Sequence, residues 1–330
     1  MLRGSPIIVS VKKATTAVVI ELIKSNSKKF LENILLQSRF SCEGGFTLKN
    51  LIVNADDFGR HELINRAVEL AFNAGCLKST TLMAGGIAFD DAVNVAKKNS
   101  GLGVGIHFTL ANGNPVLPPK EIPSLVTEEG IFHDNYIKFL KRYLSGKISL
   151  FEVRSELAAQ LEKILNAGLT LTHFDSHQHL HHVPGIIEIT LNLAKSAGIR
   201  SMRVADTKLF DGELDNLGKL FGRLGLGSLA KLAAHAAHKK NFTTPENFAG
   251  IVAGESVDEN FMLNRLENLR EGTTEVMLHP GIDNKILQDF CRWEHDFEAE
   301  LAAVTSPKVL SALAEKNISA INFSDLRLNQ

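Results

Sequence analysis

The stretch Leu51-Ile52-Val53-Asn54-Ala55-Asp56-Asp57-Phe58-Gly59 decides the fold class of this chain. It opens with a continuous apolar run, the pattern of a strand that is buried on both faces of a parallel sheet. The residues that follow, 62–74, place leucines and alanines on one stripe and predict an amphipathic helix. A buried strand followed directly by such a helix is the repeating unit of α/β folds.

The same alternation continues along the chain. Further strands are predicted at residues 79–83, 102–108, 169–175, 199–204, 275–278 and 320–323. Helices that end before a glycine are predicted at residues 152–167, 185–197 and 259–271. Because parallel strands need crossover helices, we expect about seven mostly parallel strands, in a TIM-barrel-like (β/α) barrel or a doubly wound sheet.

Two segments lie outside this alternation. Residues 1–48 carry short apolar runs interrupted by lysines, and we expect them to form an appendage, disordered or not native, before a catalytic domain at residues 49–330. Residues 208–247 are rich in glycine and alanine and predict a helical insertion at the barrel rim. That insertion would act as a substrate lid, or pack as a helical excursion or a homodimer contact.

Composition argues against several classes of protein. The chain has 36 Lys and Arg against 37 Asp and Glu, so no net charge attracts nucleic acid or an anionic membrane. The longest apolar run before residue 48, residues 14–23, is too short for a transmembrane segment, which needs about 20 apolar residues. Three scattered cysteines form no disulfide framework, which favours a cytoplasmic protein.

Carboxylates and imidazoles stand where four predicted strands end. They are Asp56 and Asp57 after the first strand, His107 and Thr109 at the strand of residues 102–108, Asp175 and His177 at the next, and His279 after residues 275–278. Each has a simpler explanation, since an aspartate caps a helix, a strand histidine packs in the core and a histidine before Pro-Gly sits in a turn. Because the carboxyl ends of parallel strands share one rim, their common position favours a single site.

The histidine-rich stretch at residues 172–182, Thr-His-Phe-Asp-Ser-His-Gln-His-Leu-His-His, indicates the chemistry of that site. Neutral imidazole is the commonest metal ligand in proteins, so five histidines around one aspartate predict a metal. A solvent-exposed histidine loop is the alternative. One carboxylate and two imidazoles leave coordination positions for water and substrate, and we expect Asp57, His107 and His177 to be the ligands.

The remaining polar residues would complete a hydrolytic site. Asp56 would take a proton from metal-bound water, and His279 would protonate the leaving group. Further candidates are expected to contact substrate or to support the ligands: Thr109, Asp175, His179 and Arg203. For Arg203, a plain surface arginine at a strand end is the alternative.

Four motifs resemble those of the YdjC-like carbohydrate deacetylases, a family that includes chitooligosaccharide deacetylases. They are residues 51–59, Gly105-Ile106-His107-Phe108-Thr109, residues 172–181 and Val276-Met277-Leu278-His279-Pro280-Gly281. The resemblance implies a β/α barrel-like fold and one divalent metal at His107 and His177, with the acidic pair beside them. By analogy with polysaccharide deacetylases Asp56 is the base and Asp57 the ligand, and these two roles could be exchanged. Residues 115–132 are also similar to the hopanoid-biosynthesis-associated branch.

The resemblance implies that the protein hydrolyses the N-acetyl group of an acetylated amino sugar, as an enzyme acting on linear amides. The family is described as magnesium-dependent, whereas two imidazole ligands favour Zn²⁺, Mn²⁺ or Co²⁺. Two other classes stay open: another metal-dependent barrel hydrolase, and a non-catalytic carbohydrate-binding or regulatory protein. The second would need neither Asp56 nor His279.

Overall fold

The computed structural model of the protein describes residues 49–74, 76–206, 217–250 and 256–326, with the side chains of residues 217–224 left aside. The predicted appendage at residues 1–48 and the first part of the predicted insertion, residues 208–216, lie outside the described residues. The rest of that insertion contains the predicted helix.

Within the described residues, seven parallel strands form one sheet. They are Lys49–Phe58 (β1), Ser79–Leu82 (β2), Gly103–Phe108 (β3), Phe174–Ser176 (β4), Asn247–Ala249 (β5), Gly272–Leu278 (β6) and Ser319–Ile321 (β7). The strand order is β4-β3-β2-β1-β6-β5, and β7 pairs with the first half of β1. Every pairing is parallel, as the strand-helix alternation predicts.

Helices connect the strands. Ten α-helices fall within the described residues: Glu62–Asn73 (α1), Phe89–Lys98 (α2), Tyr136–Leu144 (α3), Leu150–Asn166 (α4), Ile186–Ser196 (α5), Leu217–Lys239 (α6), Glu259–Glu267 (α7), Asn284–Cys291 (α8), Phe297–Thr305 (α9) and Pro307–Glu315 (α10). The helices predicted from residues 62, 152, 185 and 259 correspond to α1, α4, α5 and α7, with ends that differ by up to a turn.

The sheet curls towards closure through residues 201–202. Met202 bridges to Phe174 in β4, and Ser201 bridges to Thr243, four residues before β5 begins. These two bridges link the edge strand β4 to the segment that leads into β5, and the sheet curls into a half-barrel. This confirms the TIM-barrel-like prediction and argues against an open doubly wound sheet. The prediction of a full strand at residues 199–204 is therefore wrong. On one side β4 has only three residues, and on the other side only Thr243 forms a bridge with this segment. The short strand β5 was not predicted.

The two faces of β1 have different surroundings. Leu51, Val53 and Ala55 share an apolar core with helix residues such as Val68. Asn54 points the opposite way, into the barrel, where its Oδ1 lies 3.2 Å from Nε2 of His173. Because side chains alternate along a strand, the inner face of β1 carries Asn54 and Asp56 towards the carboxyl end of the barrel.

The amino end of the barrel interior is filled by aromatic side chains. Phe323 is fully buried and stacks on the ring of His173, with 3.8 Å between ring centroids. The His173 ring in turn covers Gly105, where a Cβ atom would lie 2.5 Å from it. Ser201 fixes the arrangement by donating a hydrogen bond to the carbonyl of Phe323. This packing leaves the carboxyl end of the strands for polar residues.

Candidate active site

Three predicted metal ligands meet at the carboxyl end of the strands. Oδ1 of Asp57 lies 2.9 Å from Nδ1 of His177 and 3.4 Å from Nε2 of His107. The two ring nitrogens are 3.4 Å apart, and all three side chains are buried. β1 supplies the aspartate, β3 supplies one histidine, and the turn after β4 supplies the other. The structure thus brings together the residues predicted from strand ends.

A break in strand geometry places Asp57 there. Its φ of 63° is left-handed, a region that aspartate tolerates better than most residues. The register between β1 and β2 shifts between Ala55 and Phe58, at the same point. The side chain consequently leaves the regular alternation, and its Oδ2 binds Nη1 of Arg60 at 2.6 Å. The other oxygen is left to face the two histidines.

His107 is held by a second carboxylate. Oδ1 of Asp175 lies 2.7 Å from its Nδ1, and Oγ1 of Thr81 lies 3.1 Å from the same nitrogen. Burial alone would lower the pKa of His107, but the charges of Asp175, Asp57 and Asp56 raise it to about 10. A carboxylate behind a ligating imidazole fixes the ring and its tautomer, so Nε2 is the nitrogen presented to Asp57.

Arg203 lies at the centre of a carboxylate network. The side chain is 0% exposed, and its Nη1 and Nη2 each donate to one oxygen of Asp56 at 2.6 Å. Nη1 also lies 2.6 Å from Asp175, and Nε donates to Glu275 at 2.7 Å. Such burial excludes the surface-arginine alternative. Burial raises the pKa of Asp56, but Arg203 more than compensates and holds it well below its ordinary value.

His279 follows β6 on the other side of the pocket. Its ring meets the rings of Trp293 and His295 edge to face, at centroid distances of 5.0 and 5.5 Å. Burial lowers the pKa of His279, whereas the charges of Asp56, Glu300 and Asp57 oppose that shift. The imidazole is half-buried and within electrostatic reach of both aspartates of the site.

Comparison with known proteins gives the family of the chain. The YdjC-like protein family model matches residues 50–315. The chain belongs to the YdjC-like family. A Clostridium beijerinckii protein named carbohydrate deacetylase is 32% identical over 84% of this chain and 99% of its own length. A Thermoanaerobacter pseudethanolicus protein of the same name is 28% identical, over 85% and 100%.

A solved structure supports the assignment. The protein is from Enterococcus faecalis and is described as a proposed cellobiose-phosphate cleavage protein. It superposes on this YdjC-like chain with a TM-score of 0.66 and 25% identity, covering 84% of this chain and 98% of its own. The resemblance inferred from four motifs is confirmed.

The donor set of this YdjC-like protein fits a metal ion. Oδ1 of Asp57 is buried and receives no aligned hydrogen bond, although two ring nitrogens lie within 3.4 Å. Two ligands bonded to one cation at about 2.1 Å, at tetrahedral or octahedral angles, lie roughly 3.0 to 3.4 Å apart. The surrounding network has four buried carboxylates, Asp56, Asp57, Asp175 and Glu275, against the guanidinium groups of Arg60 and Arg203. The carboxylates raise the pKa of His107 to about 10, so the site favours a positive charge that a divalent cation would supply.

The other histidines of the 172–182 stretch contribute in different ways. Ser176 ends β4, and left-handed Gln178 and His179 turn the chain, so His179 does not continue the strand face with Asp175. Nδ1 of His179 is buried without a hydrogen-bond partner. His181 is structural, since its ring bridges Oγ of Ser176 at 2.6 Å and the carbonyl of Arg203 at 3.1 Å.

Thr109 supports the strand end. Its hydroxyl donates to the carbonyl of His107 at 3.0 Å, and its own backbone N–H and C=O both bind the side chain of Gln160 in α4. These contacts stabilise the backbone that carries His107.

Sequence reasoning missed several residues of this YdjC-like site. They are Asn54, Arg60, Thr81, Glu275 and Glu300. Two left a usable signal, because Arg60 follows Asp57 by three residues and Thr81 lies on a predicted strand beside β1. Glu300 left no such signal, since it lies on a helix twenty-one residues beyond His279, whose backbone N–H it binds.

Proposed function

We propose that the protein is a metal-dependent carbohydrate deacetylase that hydrolyses the N-acetyl group of an acetylated amino sugar or oligosaccharide, of the chitooligosaccharide type. One observation carries the proposal: the group of Asp57, His107 and His177 lies within electrostatic reach of Asp56 and His279 at one end of the barrel. The shared family with relatives named carbohydrate deacetylase supports the same reaction.

Asp57, His107 and His177 would hold the divalent cation. When bound, it would supply Lewis acidity that polarises the amide carbonyl and lowers the pKa of water. Two imidazoles and one carboxylate favour Zn²⁺, Mn²⁺ or Co²⁺ over the Mg²⁺ implied by the family. Arg60 keeps Asp57 in place, since it occupies the carboxylate oxygen that faces away from the histidines.

Asp56 would act as the base. Arg203 holds both oxygens of this carboxylate, and Asn54 donates to one of them at 2.8 Å. Each carboxylate oxygen has two lone pairs, so these bonds orient Asp56 and leave it able to accept a proton from the attacking water. Arg203 keeps Asp56 in the ionised state that a base requires, but the lowered pKa also makes it a weaker base, so proton transfer to Asp56 would depend on the lower pKa that a bound cation gives to water.

His279 would act as the acid on the opposite side. When the carbon–nitrogen bond breaks, the acyl carbon keeps the oxygen of water and leaves as acetate. The nitrogen takes a proton from the His279 imidazolium and leaves as the amine. An unprotonated amine is a poor leaving group, so the reaction needs this donor.

Acetate release from N-acetylglucosamine oligosaccharides tests the proposal. We expect release by the metal-loaded protein, and a fall of roughly 100-fold or more in both Asp56→Asn and His279→Ala. Exposed residues provide matched controls, Asp134→Asn and His235→Ala, which should keep full activity. Release that is undiminished in both site variants would defeat the mechanism. Absence of release across a broad panel of acetylated glycans would favour the non-catalytic binding alternative.

Further properties belong to the same proposal. The domain would begin near residue 49, which the start of the family match at residue 50 supports. Free, buried Cys76 and Cys291 support residence in the cytoplasm. Over the described residues, no helix combines the length and apolarity that crossing a bilayer requires. A homodimer is part of the same proposal.

A further inference from the structure

The carboxylate of Glu300 joins three separate segments beside His279. The side chain, on α9, is 1% exposed. One oxygen accepts a hydrogen bond from the backbone N–H of His279, and the other accepts one from Val257 at 2.8 Å. The second oxygen also lies 3.3 Å from Nε2 of His295. A single buried acid therefore binds the backbone of one histidine and lies beside the ring of another, whose Nε2 makes no aligned hydrogen bond.

The neighbouring rings restrict where the His279 imidazole can lie. His295 stacks on Trp293, with centroids 3.9 Å apart and ring planes 16° from parallel. His279 meets both rings nearly at right angles, at 89° and 85°. The His279 imidazole thus packs into a corner formed by the Trp293 and His295 rings, and the Glu300 carboxylate lies beside the His295 ring.

The loop that carries His279 is anchored to the same helix a second time. The N–H of Gly281 donates to the carbonyl of Phe297, the first residue of α9, at 3.0 Å. A Cβ at Gly281 would lie 2.2 Å from Leu287 and 2.9 Å from Phe297, so only glycine permits this close approach. The loop and the start of α9 consequently form one unit.

The ionisation state of Glu300 also bears on His279. Burial raises its pKa, but His295 and His279 more than compensate, so its pKa lies below the ordinary value. The ionised carboxylate lies beside a histidine whose proposed task is to carry a proton. A buried negative charge at this place favours the protonated imidazole.

We propose that Glu300, acting with His295, is a positioning residue that holds His279 in the orientation from which it protonates the departing amine. The inference rests on the proposed function. It explains why α9, which does not follow a site-bearing strand end, would be needed for the reaction: this helix carries Glu300.

The test compares two substrates that differ in their need for an acid. An N-acetylglucosamine oligosaccharide has an amine leaving group that must be protonated, whereas 4-nitrophenyl acetate has a leaving group that departs as the anion. In Glu300→Gln we expect kcat for the sugar to fall roughly 10- to 100-fold with little change in KM, and the ester rate to change by less than about threefold. His295→Gln should show the same split with a smaller loss.

Glu298→Gln is the matched control, because this exposed glutamate lies on the same helix and its side chain binds Asp283 rather than His279. It should leave both rates unchanged. Equal losses on both substrates in Glu300→Gln and His295→Gln would show that the pair only maintains the fold, and unchanged sugar hydrolysis would show that it has no role. Either result would overturn the inference.

A spectroscopic measurement separates this inference from the proposed function. The ring signals of His279 in ¹⁵N-histidine-labelled, metal-loaded protein can be assigned by their loss in His279→Ala. We expect them to shift and broaden in Glu300→Gln and His295→Gln and to stay in place in Glu298→Gln. If the protein hydrolyses neither substrate, the proposed function fails, and unshifted His279 signals in Glu300→Gln would then refute the positioning role independently.

Discussion

The carboxylate of Asp175 lies 2.7 Å from Nδ1 of His107, and both side chains are buried. Because Nδ1 is engaged, Nε2 is the nitrogen that faces Asp57 and His177. Residues behind a metal ligand are commonly worth about 10- to 100-fold in metal affinity. Under the proposed function, Asp175 would therefore act on metal binding through the His107 ring.

We expect Asp175→Asn to bind Zn²⁺ or Mn²⁺ roughly 10- to 100-fold more weakly than the wild type, since the amide cannot match the carboxylate in orienting the ring. Isothermal titration calorimetry measures the affinity directly. Asp134→Asn removes an exposed carboxylate and should bind as the wild type does. Equal affinities in Asp175→Asn and the wild type would contradict the assigned role.

Arg203 should be essential for folding as well as for the site. Replacing it with glutamine leaves the carboxylates of Asp56, Asp175 and Glu275 buried without their common partner. Breaking a buried ion pair in this way typically costs about 3–5 kcal/mol. Urea unfolding monitored by circular dichroism should show that loss, whereas Arg66→Gln, which breaks a surface pair with Glu69, should change the free energy of unfolding by less than about 1 kcal/mol.

Removing metal should lower the thermal stability of the protein. A ligand that binds only the folded state at about 1,000 times its Kd stabilises it by about 4 kcal/mol. Chelation should therefore reduce the Tm, and added cation should restore it, with Zn²⁺, Mn²⁺ or Co²⁺ more effective than Mg²⁺. Asp57→Asn should largely remove the response, and an undiminished response in that variant would place the cation elsewhere.

Phe323 should stabilise the barrel from its amino end. Phe323→Ala removes the ring that stacks on His173 and leaves a cavity, which typically costs about 3–5 kcal/mol for a buried phenylalanine. Phe151 is 78% exposed, so Phe151→Ala is the matched control and should have little effect on the midpoint of urea unfolding. Similar midpoints for both variants would mean that Phe323 does not close the core.

The strand-end residues could be predicted because topology alone brings them together. Asp57 and His107 are the next-to-last residues of β1 and β3, and His177 follows β4. The carboxyl ends of parallel strands share a rim whatever the side chains between them. The same rule does not identify Glu275, which lies inside β6. Both faces of that strand are buried, so its apolar pattern does not show which residues point into the barrel.

The errors in the fold prediction have a related cause. Residues 199–204 look like a strand and do make backbone hydrogen bonds on two sides, with Phe174 and Thr243. Their neighbours are too short to form a ladder, a property of the partner segments that local pattern does not contain. Glu300 was not predicted for the same reason. Its contacts depend on where α9 packs, and the residues next to it in the chain do not show that.

The left-handed backbone at Asp57 limits what evolution or an engineer can place there. Consecutive strand residues normally serve opposite sides of a sheet, and here the φ of 63° lets two adjacent acids serve one pocket with separate partners, Arg203 and Arg60. Position 57 thus requires a residue that tolerates this conformation as well as one that carries a charge. Asn tolerates this conformation and isolates the loss of charge, whereas a β-branched residue would add backbone strain to that loss.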